Sequence, residues 1–202
     1  RAASDLSSYM LQAAYYKGGT MVKLLSFGGV AKVYLAYTGL SLDQIEENRR
    51  YNPEGEIWGY RPTASGDVEY AVVGFFDDHT DNYTQLNNQL IFNHVFNDKW
   101  QMNATAHYTY GSGYYRNYKN DQKLAKYGLS PIAVGDASVA RTNLIRKKSM
   151  VNDFGGVVAS ANYTSDRLTL TMGVALSLYD GAHFGEVSEL ELAPTFPTTE
   201  YY

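Results

Sequence analysis

Cysteine is absent from this sequence. A disulfide framework, a thiolate metal site and a cysteine nucleophile are excluded with it. Proline is scarce, with five residues in a chain of 202, so few positions are barred from a hydrogen-bonded ladder. No run of about 18 apolar residues occurs, which excludes a transmembrane helix but not barrel strands, whose apolar residues alternate. Neither sign of charge dominates. A formal net charge of −4 implies no nucleic-acid partner and no acidic tail.

Tyrosine is what the chain has in quantity: nineteen residues, within a composition that is 45% hydrophobic. That balance suits long strands with amphipathic aromatic ends. The clearest stretch runs from Tyr83 to Tyr115 and alternates about a short turn at Asn97-Asp98-Lys99. Trp100, Met102, Ala104, Ala106, Tyr108 and Tyr110 share one face of its second arm, and Gln101, Asn103, Thr105, His107 and Thr109 the other. The first arm puts Leu86, Leu90, Phe92 and Phe96 against Gln85, Asn87, Gln89 and Asn93. Each arm runs about ten residues or more, enough to cross the hydrocarbon core of a bilayer when tilted. Phe96 and Trp100 flank the turn, and Tyr108, Tyr110, Tyr114 and Tyr115 gather at the far end, as two interfacial belts would. His94 falls on the apolar face near Phe96.

Two further hairpins follow the same logic. Ser7 to Tyr16 and Met21 to Phe27 flank Lys17-Gly18-Gly19-Thr20, where the glycines supply the positive φ angles of a tight turn. The facing of 21–27 is ambiguous, because Lys23 breaks one face and Ser26 the other. Phe154 to Tyr163 and Leu168 to Tyr179 flank Thr164-Ser165-Asp166-Arg167. Leu168, Leu170, Met172, Val174, Leu176 and Leu178 make an unbroken apolar face opposite a small, polar one of Thr169, Thr171, Gly173, Ala175, Ser177 and Tyr179.

Long excursions separate the hairpins: Gly28 to Asn82, Gly111 to Asn152, and a third beginning after Asp180. The first reads as a helix capped by Ser41, a turn-rich loop at Arg61–Asp67, and an acidic run Asp77-Asp78-His79-Thr80-Asp81. That run lacks the glycine and terminal glutamate of a calcium loop, so a solvated loop end is expected and no metal is assigned. The second reads as a short helix over 120–128 ended by Gly128, with Arg146-Lys147-Lys148 as a solvated basic face. Asp180-Gly181-Ala182-His183-Phe184-Gly185 reads as a strand-to-loop bend. No acid–base pair, nucleophile or cofactor motif is assigned, so neither catalytic nor cofactor residues are expected. Short turns alternating with long loops describe an outer-membrane barrel, which sorts them to opposite ends.

The fold expected is therefore all-β: an antiparallel up-and-down transmembrane β-barrel segment of about six long strands in three hairpins, open, with long loops carrying short helices. The alternative is a soluble β-rich carbohydrate-binding or adhesin module, in which the apolar faces must meet another sheet.

Several stretches carry a resemblance to a family: GGVAKVYLAYTG (28–39), DNYTQLNNQLIFNHVFNDKWQMNATAHYTYGSGYYRNYKND (81–121), YGL (127–129), LIRKKSMVNDFGG (144–156) and LYDGAHFGEV (178–187). Over roughly Leu6 to Val187 the chain resembles an internal piece of the barrel of a TonB-dependent outer-membrane receptor of the Bacteroidota type. The resemblance implies that 1–202 is part of a barrel of about 22 strands around a plug, taking up an iron chelate, cobalamin or a glycan. It implies as partners the plug of the parent chain, the TonB complex, outer-membrane lipid and a surface lipoprotein, and no nucleic acid. Both ends read as cuts in a longer chain, with the plug and remaining strands outside it.

Two sets of site residues follow. Gln89, Asn93, Gln101, Asn103, Thr105, His107, Thr169 and Thr171 are expected to face the lumen, with Gln89 opposite His107 and Asn93 opposite Asn103. Tyr114, Tyr115, Arg116 and Tyr118, in an extracellular loop, are the candidates for ligand contact, since they combine stacking faces with a charged fork. Met172 is placed near mid-membrane, where Arg is expected to cost far more than at Thr171.

Overall fold

The computed structural model describes residues 2–202 and is built almost wholly of antiparallel strands. Six long ones form three hairpins: β1 (Ser4–Lys17) with β2 (Thr20–Tyr34), β5 (Thr80–Val95) with β6 (Trp100–Lys123), and β9 (Arg141–Thr164) with β10 (Thr169–Leu190). Two small hairpins stand apart from these, β3 (Glu56–Pro62) with β4 (Val68–Phe75) and β7 (Ile132–Val134) with β8 (Ala137–Val139). A terminal strand β11 (Thr199–Glu200) adds to β10. The main sheet is open, in the order β1-β2-β5-β6-β9-β10-β11, and no closed ring of strands is present among the described residues.

The three short turns lie together at one end. Gly18 and Gly19 both adopt positive φ, at 54° and 77°, as a two-residue hairpin turn requires. The Asn97 side chain accepts from the Lys99 and Trp100 backbone amides, each at 3.0 Å, and so closes the second turn. Backbone bonds from Val95 to Gly19 and from Thr164 to Lys99, both 2.9 Å, tie each turn to its neighbour.

Register then decides the facing, because residues opposite one another in a ladder share a side of the sheet. Trp100, Met102, Ala104, Ala106 and Tyr108 pair with Tyr163, Ala161, Ala159, Val157 and Gly155. These pair in turn with Leu170, Met172, Val174, Leu176 and Leu178. On the other flank the same side carries Phe92 and Leu90, then Val22 and Leu24, then Tyr15 and Ala13. This resolves β2: Val22, Leu24 and Ser26 are on the apolar face, and Lys23, Leu25 and Phe27 on the other. The expected cross-strand pairs are present, Gln89 with His107 and Asn93 with Asn103. His94 lies on the apolar face, bonded through Nδ1 to the Thr20 hydroxyl at 2.7 Å and set edge-on to Phe96 at 4.4 Å.

The apolar face has nothing packed on it. Leu176 is 71% exposed, Leu178 83% and Leu24 53%. The buried core sits elsewhere, beyond the loop end of this band, where Leu124, Tyr127, Leu144, Val187 and Leu190 cluster. A 3-10 turn (Leu124–Tyr127) and the tail residues Ala193, Phe196 and Tyr201 close over it.

The excursions are shorter than the sequence suggests, because the strands run on. Residues 28–34 and 80–82 extend β2 and β5, while 111–123 and 141–152 extend β6 and β9. Gly111 and Gly113 are the reason this is hard to read. They look like breakers, yet they make room for a neighbour: a Cβ on Gly113 would come within 2.6 Å of the Tyr83 ring and 2.5 Å of the Asn82 carbonyl. Similarly, 180–185 is strand rather than a bend, with Gly181 beside the Tyr179 ring. The helix expected over 120–128 reduces to the 3-10 turn, ended as anticipated by Gly128 at φ 69°. At its entry the ladder slips between Lys119 and Gln122, and Asp121 takes φ 45°, its carboxylate accepting from Arg141 Nε and Nη2, each at 2.7 Å. The turn-rich loop at 61–67 is the tip of the β3–β4 hairpin, with Gly66 at φ 90°. The first helix, α1 (Leu42–Asn48), forms where expected, with a capping box between Ser41 and Gln44.

Candidate functional site

The excursion between β2 and β5 folds back on the loop end of the sheet and is fastened there by one histidine. His79 is 2% exposed. Its Nδ1 accepts from the Tyr118 backbone amide at 3.3 Å, so the ring proton belongs on Nε2, which donates to Glu54 Oε2 at 2.8 Å. The Thr38 hydroxyl donates to the other Glu54 oxygen. Asn117 Nδ2 lies 3.3 Å from His79 Nε2, a contact between two donors rather than a hydrogen bond, and Asn117 Oδ1 accepts from Arg146 Nη2 at 3.0 Å. Polar side chains, Glu54, His79, Asn117 and Arg146, thus lie in succession from the excursion into β6 and β9. The β3 hairpin adds a second fastening, exchanging two bonds with the Asn120 side chain at 3.0 and 2.8 Å. In the sequence His79 reads as one residue of a solvated acidic run. Its burial depends on β6 reaching Asn117, which the sequence conceals.

The four ligand candidates are not in a loop, and they do not converge. They lie on β6, where alternation sends Tyr115 to the face carrying His107 and sends Tyr114, Arg116 and Tyr118 to the opposite one. Arg116 is also already engaged, with Asp78 and, at 3.2 Å, with Glu189. It lies over the Phe76 ring at 5.7 Å. Burial, then the Glu191 charge, pushes the Tyr118 hydroxyl up to about 12. The eight residues expected to face a lumen do share one face: Gln101 pairs with Asn162 and that with Thr171, Asn103 with Ser160, Thr105 with Val158, and Thr169 with Thr164. That face is mixed rather than polar, for it also carries Met10, Phe27, Phe154 and Tyr179 in one row.

The acidic run is dispersed in the same way. Asp78 turns to Arg116 and to Lys32 at 3.4 Å, His79 is buried, and Asp81 pairs with Tyr115 on the other side of the sheet. No three acidic or histidine side chains gather as a metal cage among the described residues. Burial raises the Asp78 carboxyl, but the hydrogen bonds and charges of Arg116, Thr80 and Lys32 outweigh it and hold the group below its ordinary 3.8. A depressed folded pKa stabilises above the unfolded value and fails as pH falls through the folded one. The docked excursion should therefore loosen only below about pH 4. In a Trp100→Phe chain, Trp58 emission should report a transition there, and Asp78→Asn should abolish it.

What the structure does bring together is a basic and aromatic cluster that sequence reasoning passed over. Arg146-Lys147-Lys148 is not one solvated face. Lys147 lies with Arg116 on one side and pairs with Glu186 at 3.3 Å. Arg146 and Lys148 lie on the other, level with Asn117 and Tyr115. Lys148 Nζ sits 4.7 Å above the Tyr202 ring, and Tyr201 is 5.1 Å from Tyr202 and 5.0 Å from Tyr127. The hydrogen bond with Tyr202 raises the Lys148 ammonium's pKa. Burial, then the Arg146 charge, lowers that of Lys119. Burial pushes Tyr37, Tyr127 and Tyr201 up. Period-two alternation through 141–152 would have separated Lys147 from its neighbours, had that stretch read as strand. Comparisons with family models, curated proteins and solved structures found no match to this chain.

Proposed function

We propose that this chain is a section of the wall of an outer-membrane β-barrel of the TonB-dependent receptor kind, with its loop end turned to the cell exterior and its mixed face to the lumen. One observation carries the reading: a band of exposed apolar side chains running across all six long strands, bounded by aromatic residues at both edges. Trp100 and Tyr163, 4.9 Å apart, mark the turn edge, and Tyr108, Tyr110 and Tyr114 the loop edge. From Trp100 to Tyr110 the strand advances about 33 Å at about 3.3 Å per residue, which at a tilt of about 35–45° projects to about 23–27 Å and matches a lipid-facing band about 25 Å tall. A water-soluble sheet would cover this face, since contiguous exposed apolar patches beyond a few hundred Å² are uncommon on soluble monomers. The core instead forms beyond the band, where water requires one. Uptake by such a receptor takes a ligand from outside past the loop end and along the lumenal face; the plug and TonB complex, as parts of that reading, lie outside these residues.

The two tryptophans provide the test. In bilayers containing brominated acyl chains, Trp100 emission in a Trp58→Phe chain should be strongly quenched, because the ring sits at the edge of the hydrocarbon. Trp58 in a Trp100→Phe chain belongs to the docked excursion and should be spared. Equal quenching of the two, or none, would reject the assignment.

A further inference from the structure

Among the described residues, the cations on the lipid-side face of the loop-end strands are each matched by a carboxylate. Lys32 meets Asp78, Arg116 meets Asp78 and Glu189, and Lys147 meets Glu186. On the opposite face Arg146 and Lys148 make no salt bridge among the described residues. The nearest carboxylate in that polar succession, Glu54, is held by Thr38 and His79. Arg146 Nε is buried without a hydrogen-bond partner, as is the Tyr201 hydroxyl. Leaving that one buried donor unmatched is costly. Two cations without a carboxylate partner thus stand two residues apart on one face of β9.

That face opens on a cleft of about 360 Å³ lined by Asp81, Tyr83, Tyr115, Lys148, His183 and Tyr202. Asp81 is the single acidic side chain in the lining, against Lys148, while Arg146 lies outside the lining on the same face, two residues along β9. Cations without carboxylate partners beside a concave wall concentrate ligands of the opposite sign. Flat rings beside a charge favour a ligand with a planar body.

We infer that this cleft binds an organic oxyanion, its carboxylate or phosphate on Lys148 and its planar body between Tyr115 and Tyr202, with Arg146 adding to the positive potential from the same face. This deepens the receptor reading and rests on it in one respect, that the mixed face of the loop end is open to ligand. Neutral sugars are the class it disfavours. The ammonium is the contact because Lys148 lines the cleft beside Tyr202, whereas Arg146 lies outside the lining and gives one donor to Asn117.

The test uses the full-length chain carrying these residues, purified in detergent, titrated with 2-naphthoate, with its neutral counterpart 2-naphthylmethanol, and with inorganic phosphate. Naphthoate should bind at least about tenfold more tightly than the alcohol, as a charged hydrogen bond warrants, and its affinity should fall with added salt. Lys148→Gln should erase that preference while Lys148→Arg keeps it. Equal affinity for acid and alcohol, or a preference untouched by Lys148→Gln, overturns the inference. Phosphate binding as tightly as naphthoate overturns it too, leaving an adventitious ion only. The two readings fail separately. A chain whose Trp100 escapes lipid quenching yet keeps the naphthoate preference sinks the barrel and spares the site. Normal quenching without the preference does the reverse.

Discussion

On the proposed barrel reading, arginine at Val174 should lower the stability of the full-length chain in lipid by about 2–4 kcal/mol, while arginine at the adjacent Ala175 should cost much less. The two positions differ by one residue and by the side of the sheet. Val174 is 57% exposed and stands in the row of Ala159, Ala104, Phe92, Val22 and Tyr15, with two rows toward Leu170 and two toward Leu178. That is the centre of the band, where a guanidinium has the longest reach to either interface. Met172 lies one row nearer the turns, level with His94 and Thr20, so arginine there should cost less than at Val174. Ala175 is level with Val158, Thr105, Ile91 and Lys23. A cation is already accommodated in that row, which is what a hydrated lumen permits and hydrocarbon does not. Reversible unfolding in lipid vesicles makes the comparison. Equal penalties at the two sites would mean that the apolar band faces something other than lipid, and the barrel reading would lose its physical basis.

The membrane-sized part of the fold was legible because alternation there is uninterrupted. Leu168 to Leu178 and Trp100 to Tyr110 carry no residue on the wrong side, so hairpins, turns and facing followed from period two alone. Legibility failed where small residues replaced the pattern. Gly111 and Gly113 serve the Tyr83 ring, Gly181 serves Tyr179, and each looked like the end of a strand. Those misplaced ends had consequences for the site. Tyr114, Arg116 and Tyr118 were grouped with Tyr115 as loop neighbours, when strand alternation sets them on opposite faces. Arg146 and Lys148 were read together with Lys147 for the same reason. The His79 fastening was beyond reach for a different cause: it joins residues 54, 79 and 117–118, and no local pattern encodes a contact of that range.

His79→Ala should release the excursion over 41–78 from the sheet while leaving the global transition in place. The substitution strips Glu54 Oε2 of its donor at 2.8 Å and leaves the Tyr118 amide without its acceptor, both in a site where Glu54 is 8% and Asn117 0% exposed. Leaving a buried hydrogen-bonding group without its partner costs about 1–3 kcal/mol, and more for a carboxylate. The loss should stay local, because the stem of the excursion has separate ties. The Leu35 amide still reaches the residue-79 carbonyl at 2.9 Å, and the Tyr34 hydroxyl still bonds the Glu54 and Phe76 carbonyls at 3.0 and 3.1 Å. The band rows, whose ladders run independently of residue 79, should keep their protection. Amide hydrogen exchange separates these outcomes: protection over 41–78 should fall roughly 100-fold or more, with that of 86–108 and 155–178 unchanged. His79→Gln can donate to Glu54 but cannot also accept from Tyr118 with the same geometry, so it should fall between. Undiminished protection of the excursion in His79→Ala would show that the Asn120, Tyr34 and Asp78 ties suffice to hold it, and the histidine would lose its role as the fastening.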